Sequence, residues 1–399
     1  MNVRAGLLLA STVLFTGCSG FWTLPAGSSS GGGGTTPTTL SSGVFYVLNQ
    51  TTKQIVGYSI KTGTLSTISG TPQTLAAAPY SIAIAPSGAF LYVGTINGIY
   101  LFSIGSGGSL TLANNGSPIS SDIAAAMQVS GSWLIDAFTT AGNNPQLDAI
   151  PINPSNGLYD GPGGAPPSQV FGNIASASVK QMILSPDGAN LFVTLGPAGT
   201  IVVPFAQGNS NPLGATARVI SVQNSGGSAL SVAVDPTTRV FYIGETDVYP
   251  SSANSGGLRV FNYNSLSSGT LTQISGSPIS SGGLSPSAIL PLASGDYVYV
   301  ANGQGNTAAG NVTWFPLTAS GTTYTIAAGS SIASGIFPTG LAEDNEDNFV
   351  LAISTGGSTS SGDPDFEAYT ISSGALTAAI TSVTGTDPVG AVAIAAAPK

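Results

Sequence analysis

Histidine is absent from the 399 residues, and charged residues make up only 6% of them, where about 25% is usual. Without histidine, no side chain with an unperturbed pKa titrates between pH 5 and 8. The net charge is −9 and the eight basic residues are scattered along the chain. Nucleic-acid binding requires a basic stripe that neutralises phosphates, so the sequence excludes that class of partner.

Helical periodicity is also missing: no window longer than about two turns has apolar residues at a 3.6-residue spacing. Glycine (54 residues) and proline (26 residues) are frequent instead, and hydrophobic residues make up 42% of the chain. This composition is typical of many short strands joined by tight turns. We therefore predict an all-β fold with almost no helix.

One hairpin pattern recurs along the chain. "SIAIAPSGAFLYVGT" (81–95), "QMILSPDGANLFVTL" (181–195) and "SVAVDPTTRVFYIGE" (231–245) each place a proline turn between two apolar runs. A third strand and a glycine turn into a fourth strand follow, so about 50 residues form one four-stranded propeller blade. The first strands begin near Ser81, Ala125, Gln181, Ser231, Ser287, Gly340 and Ala391, which predicts seven blades in residues 44–399.

The two ends of this repeat complete each other. "VFYVLNQ" (44–50) opens on a second strand, and "AVAIAAAPK" (391–399) stops after a first strand. We expect the C-terminal strand to become the innermost strand of the N-terminal blade. This closure removes the free edges of the array, and the stacked blades bury one another's faces.

The first 18 residues predict an export signal. Arg4 precedes an apolar run from Gly6 to Gly17 that is too short to span a bilayer. "LFTGC" resembles the bacterial lipobox, which predicts lipidation of Cys18; the alternative is an ordinary signal peptide with an incidental cysteine. Residues 19–43 are rich in Gly, Ser and Thr and predict a flexible tether. We therefore expect a lipoprotein anchored in the cell envelope through Cys18.

The strand pattern "SIAIAPSGAFLYV" followed by "GSPI" resembles the seven-bladed lactonase-type propellers of the 6-phosphogluconolactonase family and their relatives with Tyr-Val-Thr-Asn repeats. The resemblance covers residues 44–399 and implies a propeller that hydrolyses sugar lactones. The family's Arg-His pair and its other histidine are not matched here: Leu230 and Ser231 stand where the Arg-His pair would fall, and Tyr80 stands where the other histidine would fall. Glu245 lies one residue before the position of the family's glutamate.

A functional site is expected on the rim formed by the loops between second and third strands, because these loops vary most in length. Glu245 and Arg259 are the candidate catalytic pair, a base and a cation for the developing oxyanion. The other candidate ligand-binding residues of this rim are Asp247, Tyr249, Asn302, Gln304, Asp363, Asp365 and Glu367. The alternative is that these long loops are polar only because they are exposed.

No metal site or cofactor is predicted. The oxygen atoms of the rim residues are suitable ligands for a Ca²⁺-like cation, but the sequence does not have the spacing of a known calcium-binding loop. "AEDNEDN" (342–348) replaces a hairpin turn on the opposite rim, where a solvated turn is the favoured interpretation and a cation site the alternative.

Two functions follow from the sequence. The missing histidines favour a monomeric, non-catalytic propeller that binds a small molecule or an envelope protein. The alternative is a lactonase-family hydrolase acting on a sugar lactone.

Overall fold

The structure is a computed structural model. It describes residues 17–18, 43–61, 64–174, 176–305, 308–356, 366–381 and 390–398. These residues form strands and three short 3₁₀ turns (Ser106–Gly108, Asn114–Gly116 and Tyr263–Ser267), with no α-helix among them. The prediction of an all-β chain is confirmed. In the part of the chain described, no helix is long and apolar enough to cross a membrane.

Most of the chain forms four-stranded antiparallel blades. The first blade has the order β30-β2-β3-β4, with β1 beside β30 and β5 beside β3; its strands are β1 (Gly17–Cys18), β2 (Val44–Asn49), β3 (Gln54–Lys61), β4 (Thr64–Thr67), β5 (Gln73–Thr74) and β30 (Ala391–Ala396). The second blade comprises β6 (Pro79–Ile84), β7 (Phe90–Thr95), β8 (Gly98–Ile104) and β9 (Leu110–Leu112).

Three further blades follow in chain order. The third comprises β10 (Ala126–Ser130), β11 (Trp133–Thr139), β12 (Pro145–Pro151) and β13 (Ser168–Val170). The fourth comprises β14 (Gln181–Leu184), β15 (Asn190–Thr194), β16 (Thr200–Pro204) and β17 (Arg218–Ile220). The fifth comprises β18 (Ala229–Val234), β19 (Val240–Glu245), β20 (Gly257–Asn262) and β21 (Ile279–Ser280).

The rest of the chain forms one continuous eight-stranded sheet. Its strands are β22 (Ser285–Pro291), β23 (Tyr297–Gly303), β24 (Ala309–Ser320), β25 (Thr323–Ile326), β26 (Ser330–Glu343), β27 (Phe349–Gly356), β28 (Phe366–Ser372) and β29 (Ala375–Thr381). The first part of β26 pairs with β24, and its second part pairs with β27.

The prediction of seven separate blades is therefore wrong: the described residues form five discrete blades and this larger sheet. The reason lies in β26, a strand of 14 residues. At Phe337 (φ 54°) and at the register shift between Pro338 and Gly340, the strand bends through a bulge. A bulge redirects a strand without ending it, so two repeats of the sequence share one hydrogen-bonded strand.

The recurrent hairpin turns form where the proline pattern predicts them. Gly88 and Gly188 have φ of 68° and 69°, a left-handed conformation in which a side chain is disfavoured. The Ala85 N–H donates to the Phe90 carbonyl, and the Gly88 N–H donates to the Ala85 carbonyl, each at 2.8 Å. These turns set the register in which β6 pairs with β7.

The ring closes as the sequence predicts. Strand β30 pairs antiparallel with β2, and Phe45 is opposite Ala396. Ile394 packs in a cluster with Leu341 of the eight-stranded sheet, and Val392 packs in another with Ile82 of the second blade. Of the six clusters of buried hydrophobic residues in the described chain, five lie between neighbouring sheets, and the sixth packs the two halves of the eight-stranded sheet against each other and against the first blade. The core is therefore a ring of interfaces between sheets.

The aromatic residues that recur at one strand position pack between blades. Tyr92, Phe192, Tyr242 and Tyr299 are all fully buried. The tyrosine hydroxyl groups differ in their contacts: Tyr92 Oη donates to the Gly157 carbonyl at 3.0 Å, whereas Tyr242 Oη has no hydrogen-bond partner. Burial raises the pKa of both tyrosines, so both hydroxyls are protonated at neutral pH.

Tyr92 and Tyr242 allow a matched test of these hydroxyl contacts. Tyr92→Phe is expected to lower the free energy of unfolding by about 1 kcal/mol, because a buried carbonyl loses its donor. Tyr242→Phe is expected to leave it unchanged or to raise it, because an unpaired buried hydroxyl is removed. Urea unfolding of both variants measures the difference, and equal effects would contradict the assignment of these hydroxyl contacts.

Most of the predicted signal and tether lies outside the described residues. The exceptions are Gly43, at the end of the tether, and Gly17 and Cys18, which form β1, parallel to β30. Lipidation of Cys18 stays a prediction.

Candidate functional site

Glu245 and Arg259 form a buried ion pair in the fifth blade. Glu245 ends β19, and Arg259 lies in β20 opposite Ile243, so the two side chains share one face of the sheet. Arg259 Nη1 is 2.7 Å from Glu245 Oε1. Glu245 is 1% exposed, whereas the Arg259 side chain is 10% exposed. The structure thus joins the two residues that the sequence proposed as a catalytic pair.

The segment that follows the fourth blade holds this pair in place. The Gln223 N–H donates to Glu245 Oε2 at 2.8 Å, and Arg259 Nη1 donates to the Ser221 carbonyl at 2.8 Å. The guanidinium carbon of Arg259 lies 4.9 Å from the centre of the Phe261 ring. Arg259 Nε is buried without a hydrogen-bond partner, so this donor is free for a further acceptor.

The protonation of Glu245 reflects two opposing effects. Burial raises the pKa of Glu245, while the Arg259 charge and the Gln223 N–H lower it by less, so the net pKa lies above the usual range. A carboxylate with a raised pKa is suited to act as a general base, and the neighbouring cation, Arg259, is suited to stabilise developing negative charge.

Two predicted rim residues follow Glu245 in the chain. Asp247 is half-buried, and its carbonyl accepts from Asn224 Nδ2 at 2.8 Å, next to the segment that holds Glu245. Tyr249 Oη donates to the Pro278 carbonyl at 2.7 Å. The Asp247 backbone is thus tied to the segment that holds Glu245, and Tyr249 contacts a residue of its own blade.

Asn302 and Gln304 join the fifth blade to the eight-stranded sheet. Asn302 is fully buried, and its Nδ2 donates to the Ser281 carbonyl at 2.7 Å and to Asn311 Oδ1 at 3.0 Å. Gln304 Nε2 donates to the Gly282 carbonyl at 3.1 Å. Both side chains are thus engaged in contacts between sheets.

The remaining rim candidates lie toward the C-terminus. Glu367 is buried, and Tyr369 Oη lies within hydrogen-bonding distance of both the Glu367 carboxylate and the Ala333 carbonyl, the latter at 2.9 Å, so its single proton is shared between these two acceptors. Asp363 and Asp365 lie outside the described residues.

The "AEDNEDN" segment forms a turn, as its favoured interpretation predicts. Asp344 is buried and accepts from the N–H groups of Asn348 and Phe349, each at 2.7 Å. A groove of about 460 Å³ opens beside this turn, lined by Asp344, Glu346, Asn348 and Phe349 together with Ile60, Lys61, Thr370 and Ile371. The lining does not include Glu245 or Arg259.

The sequence reasoning missed a group of three carboxylates between the second and third blades. Oxygen atoms of Asp122, Asp136 and Asp148 lie within 4.8 Å of one another. The signal was present: "WLIDAF" and "QLDAI" each place an aspartate inside an apolar strand, where a buried charge requires a partner.

Comparison with known proteins defines the fold. No model of a protein family matches the chain, and no curated protein sequence matches it. Among solved structures, a provisional 6-phosphogluconolactonase from Bacteroides uniformis is 16% identical, with a TM-score of 0.65 over 89% of this chain and 99% of that one. The periplasmic gluconolactonase of Pseudomonas aeruginosa is 18% identical, with a TM-score of 0.63 over 90% of this chain and 100% of that one. The chain therefore has the β-propeller fold of the 6-phosphogluconolactonase-like proteins.

Proposed function

We propose that this protein is a hydrolase of sugar lactones, with Glu245 as general base and Arg259 as the stabiliser of the oxyanion. The observation on which this rests is the buried Glu245–Arg259 pair, in which the carboxylate has a raised pKa and Arg259 Nε has no partner. The similar propeller structures named as lactonases favour hydrolysis over the non-catalytic binder that the missing histidines suggested.

Glu245 takes part in one proton transfer in each of the two stages of the reaction, the attack of water and the collapse of the intermediate. Glu245 accepts a proton from water as the water oxygen attacks the lactone carbonyl carbon, and Arg259 donates hydrogen bonds to the resulting oxyanion. When the intermediate collapses, the ester C–O bond breaks and Glu245 returns the proton to the ring oxygen. The product is a hydroxy acid. Because Glu245 is 1% exposed, the segment 221–224 must move for substrate and water to enter.

The charges around the pair favour an uncharged lactone. The Arg259 charge is already balanced by Glu245 at 2.7 Å. A phosphate group brings nearly two negative charges at neutral pH, and the net charge of the whole chain is −9. We therefore expect an unphosphorylated aldonolactone as substrate.

The test is hydrolysis of D-glucono-1,5-lactone, followed as acid release by the full chain. Glu245→Gln keeps the size of the side chain and removes the base, so kcat/KM should fall by roughly 10²–10⁴-fold. Glu346→Gln, an exposed carboxyl on the opposite rim, is the matched control and should retain full activity. Circular dichroism melts ensure that each variant is assayed folded. Absence of turnover in the native chain would refute the proposal.

The pH profile provides a second readout. Because burial raises the pKa of Glu245 above 4.5, kcat/KM should fall on acidification with a midpoint above that value, as the base becomes protonated. A profile that stays flat down to pH 4.5 would exclude Glu245 as the base.

Export, an envelope location, lipid anchoring through Cys18 and a monomeric state belong to this proposal as well. The first three rest on the sequence of residues 1–43, and the monomeric state rests on the closure of the ring by the pairing of β30 with β2. A periplasmic lactonase among the similar structures is consistent with an exported enzyme.

A further inference from the structure

The three carboxylates found between the second and third blades come from different elements. Asp136 lies in β11 and is directly opposite Asp148 in β12, so both side chains project from the same face of the sheet. Asp122 lies in the segment that enters the third blade. Carboxylate oxygens of all three lie within 4.8 Å of one another. Three like charges at this separation repel strongly unless protons or a cation neutralise them.

Asp136 is the residue whose environment requires a ligand. It is 0% exposed, and neither of its carboxylate oxygens has a hydrogen-bond partner. A buried carboxylate without a partner is strongly unfavourable. Such a group is either protonated or bound to a cation, and its free oxygen atoms lie beside two further carboxylates.

The other two carboxylates are oriented by neutral side chains. Gln146 Nε2 donates to Asp148 Oδ1 at 2.9 Å and also to Ser168 Oγ at 3.0 Å. Ser120 Oγ donates to Asp122 Oδ2. Among the described residues, no ion pair with lysine or arginine involves any of the three aspartates. Their negative charge is therefore not compensated by protein cations.

We propose that Asp122, Asp136 and Asp148 bind a divalent cation of the calcium type. Hard cations take oxygen ligands, and Ca²⁺ binds them at 2.3–2.6 Å. Two oxygen atoms bound to one such ion are at most about 5 Å apart, which accommodates the separation of the three carboxylates. The ligand set holds no nitrogen or sulfur, so softer metals such as zinc have no preferred ligand here.

The cation joins two blades. Ser120, next to this carboxylate group, forms a β-bridge with Ile99 of the second blade, while Asp136 and Asp148 belong to the third blade. An ion bound by Asp122 as well as by the two strand aspartates would therefore fasten the connection between these blades to the third sheet. The function of the ion in this arrangement is to stabilise the ring, and it does not depend on lactone hydrolysis.

The test uses the full chain, freed of metal with EDTA and dialysed. Calorimetric titration with CaCl₂ should show one saturable site, with a Kd roughly between 10⁻⁷ and 10⁻³ M, and the melting temperature should rise with Ca²⁺. Asp136→Asn keeps the shape of the side chain and removes its charge. It should weaken binding by more than the roughly 10–100-fold that outer-shell changes produce, and its melting temperature should no longer respond to Ca²⁺.

Asp160→Asn is the matched control, because Asp160 is an exposed carboxyl in the loop of the same blade; it should bind Ca²⁺ like the native chain. Asp148→Asn serves as a second variant if Asp136→Asn does not fold. The proposal fails if the native chain gives no binding heat and no thermal shift with Ca²⁺ in the millimolar range, which would indicate a protonated Asp136. It also fails if the two strand variants bind Ca²⁺ as tightly as the Asp160→Asn control.

Discussion

Deletion of residues 390–399 is expected to abolish the cooperative unfolding transition of this protein, because the deleted segment contains the strand that closes the ring. The deletion removes β30, whose six residues are all buried. Val392 and Ile394 alone bury side chains that contribute about 1.5–3 kcal/mol each. The deletion also leaves β2 without its antiparallel partner. Together, the lost side-chain burial and the lost strand pairing approach the roughly 5–15 kcal/mol that stabilises a whole domain.

Urea unfolding followed by circular dichroism measures this effect. A chain lacking only residues 398–399 is the control and should unfold like the native protein, because β30 ends at Ala396. A synthetic peptide of residues 390–399, added in excess, should restore part of the transition by pairing with β2. A truncated chain that unfolds at the same urea concentration as the native one would show that the ring does not need β30.

Arg259→Met is expected to lower the free energy of unfolding at pH 8 by about 3–5 kcal/mol, because it leaves the Glu245 carboxylate buried and unpaired. Methionine is apolar and of comparable length, so most of the packing on Phe261 is retained. Lys53→Met removes an exposed cation and should change the stability by less than about 0.5 kcal/mol. Denaturant unfolding of both variants provides the comparison.

The pH dependence of the stability of Arg259→Met identifies the cause of the loss of stability. Burial raises the pKa of Glu245 in the folded protein, and loss of Arg259 removes an effect that lowers it. The folded variant therefore binds a proton more tightly than the unfolded chain, so its stability rises as the pH falls through the folded pKa. The gain is complete below the unfolded value of about 4.3.

A double variant completes this cycle. Arg259→Met combined with Glu245→Gln should recover most of the stability at pH 8, since no charge then remains buried. If Arg259→Met is equally destabilising at pH 8 and pH 5, or if the double variant is no more stable than Arg259→Met, then the unpaired charge is not the cause.

The sequence by itself determined the repeating unit and the closure of the ring. Period-two alternation and proline turns are local signals, so "SIAIAPSGAFLYV" predicts a hairpin without knowledge of distant residues. The unmatched ends, 44–50 and 391–399, predicted the pairing of β2 with β30 because an unpaired strand edge is unfavourable. The choice of Glu245 with Arg259 also followed from sequence, since without histidine a carboxylate is the available base.

Only the tertiary structure decided how the repeats and charges combine. The bulge at Phe337 and Pro338 keeps β26 continuous and merges two repeats into one sheet, an outcome that depends on hydrogen bonds to two different strands. Asp136 and Asp148 are 12 residues apart in sequence and become direct neighbours through the register of β11 and β12. Strand register brings such charged residues together, and burial then sets their protonation. Local sequence fixes neither the register nor the burial. The approach of Asp122 to Asp136 and Asp148, like the burial of Asn302, therefore emerges only in the folded ring.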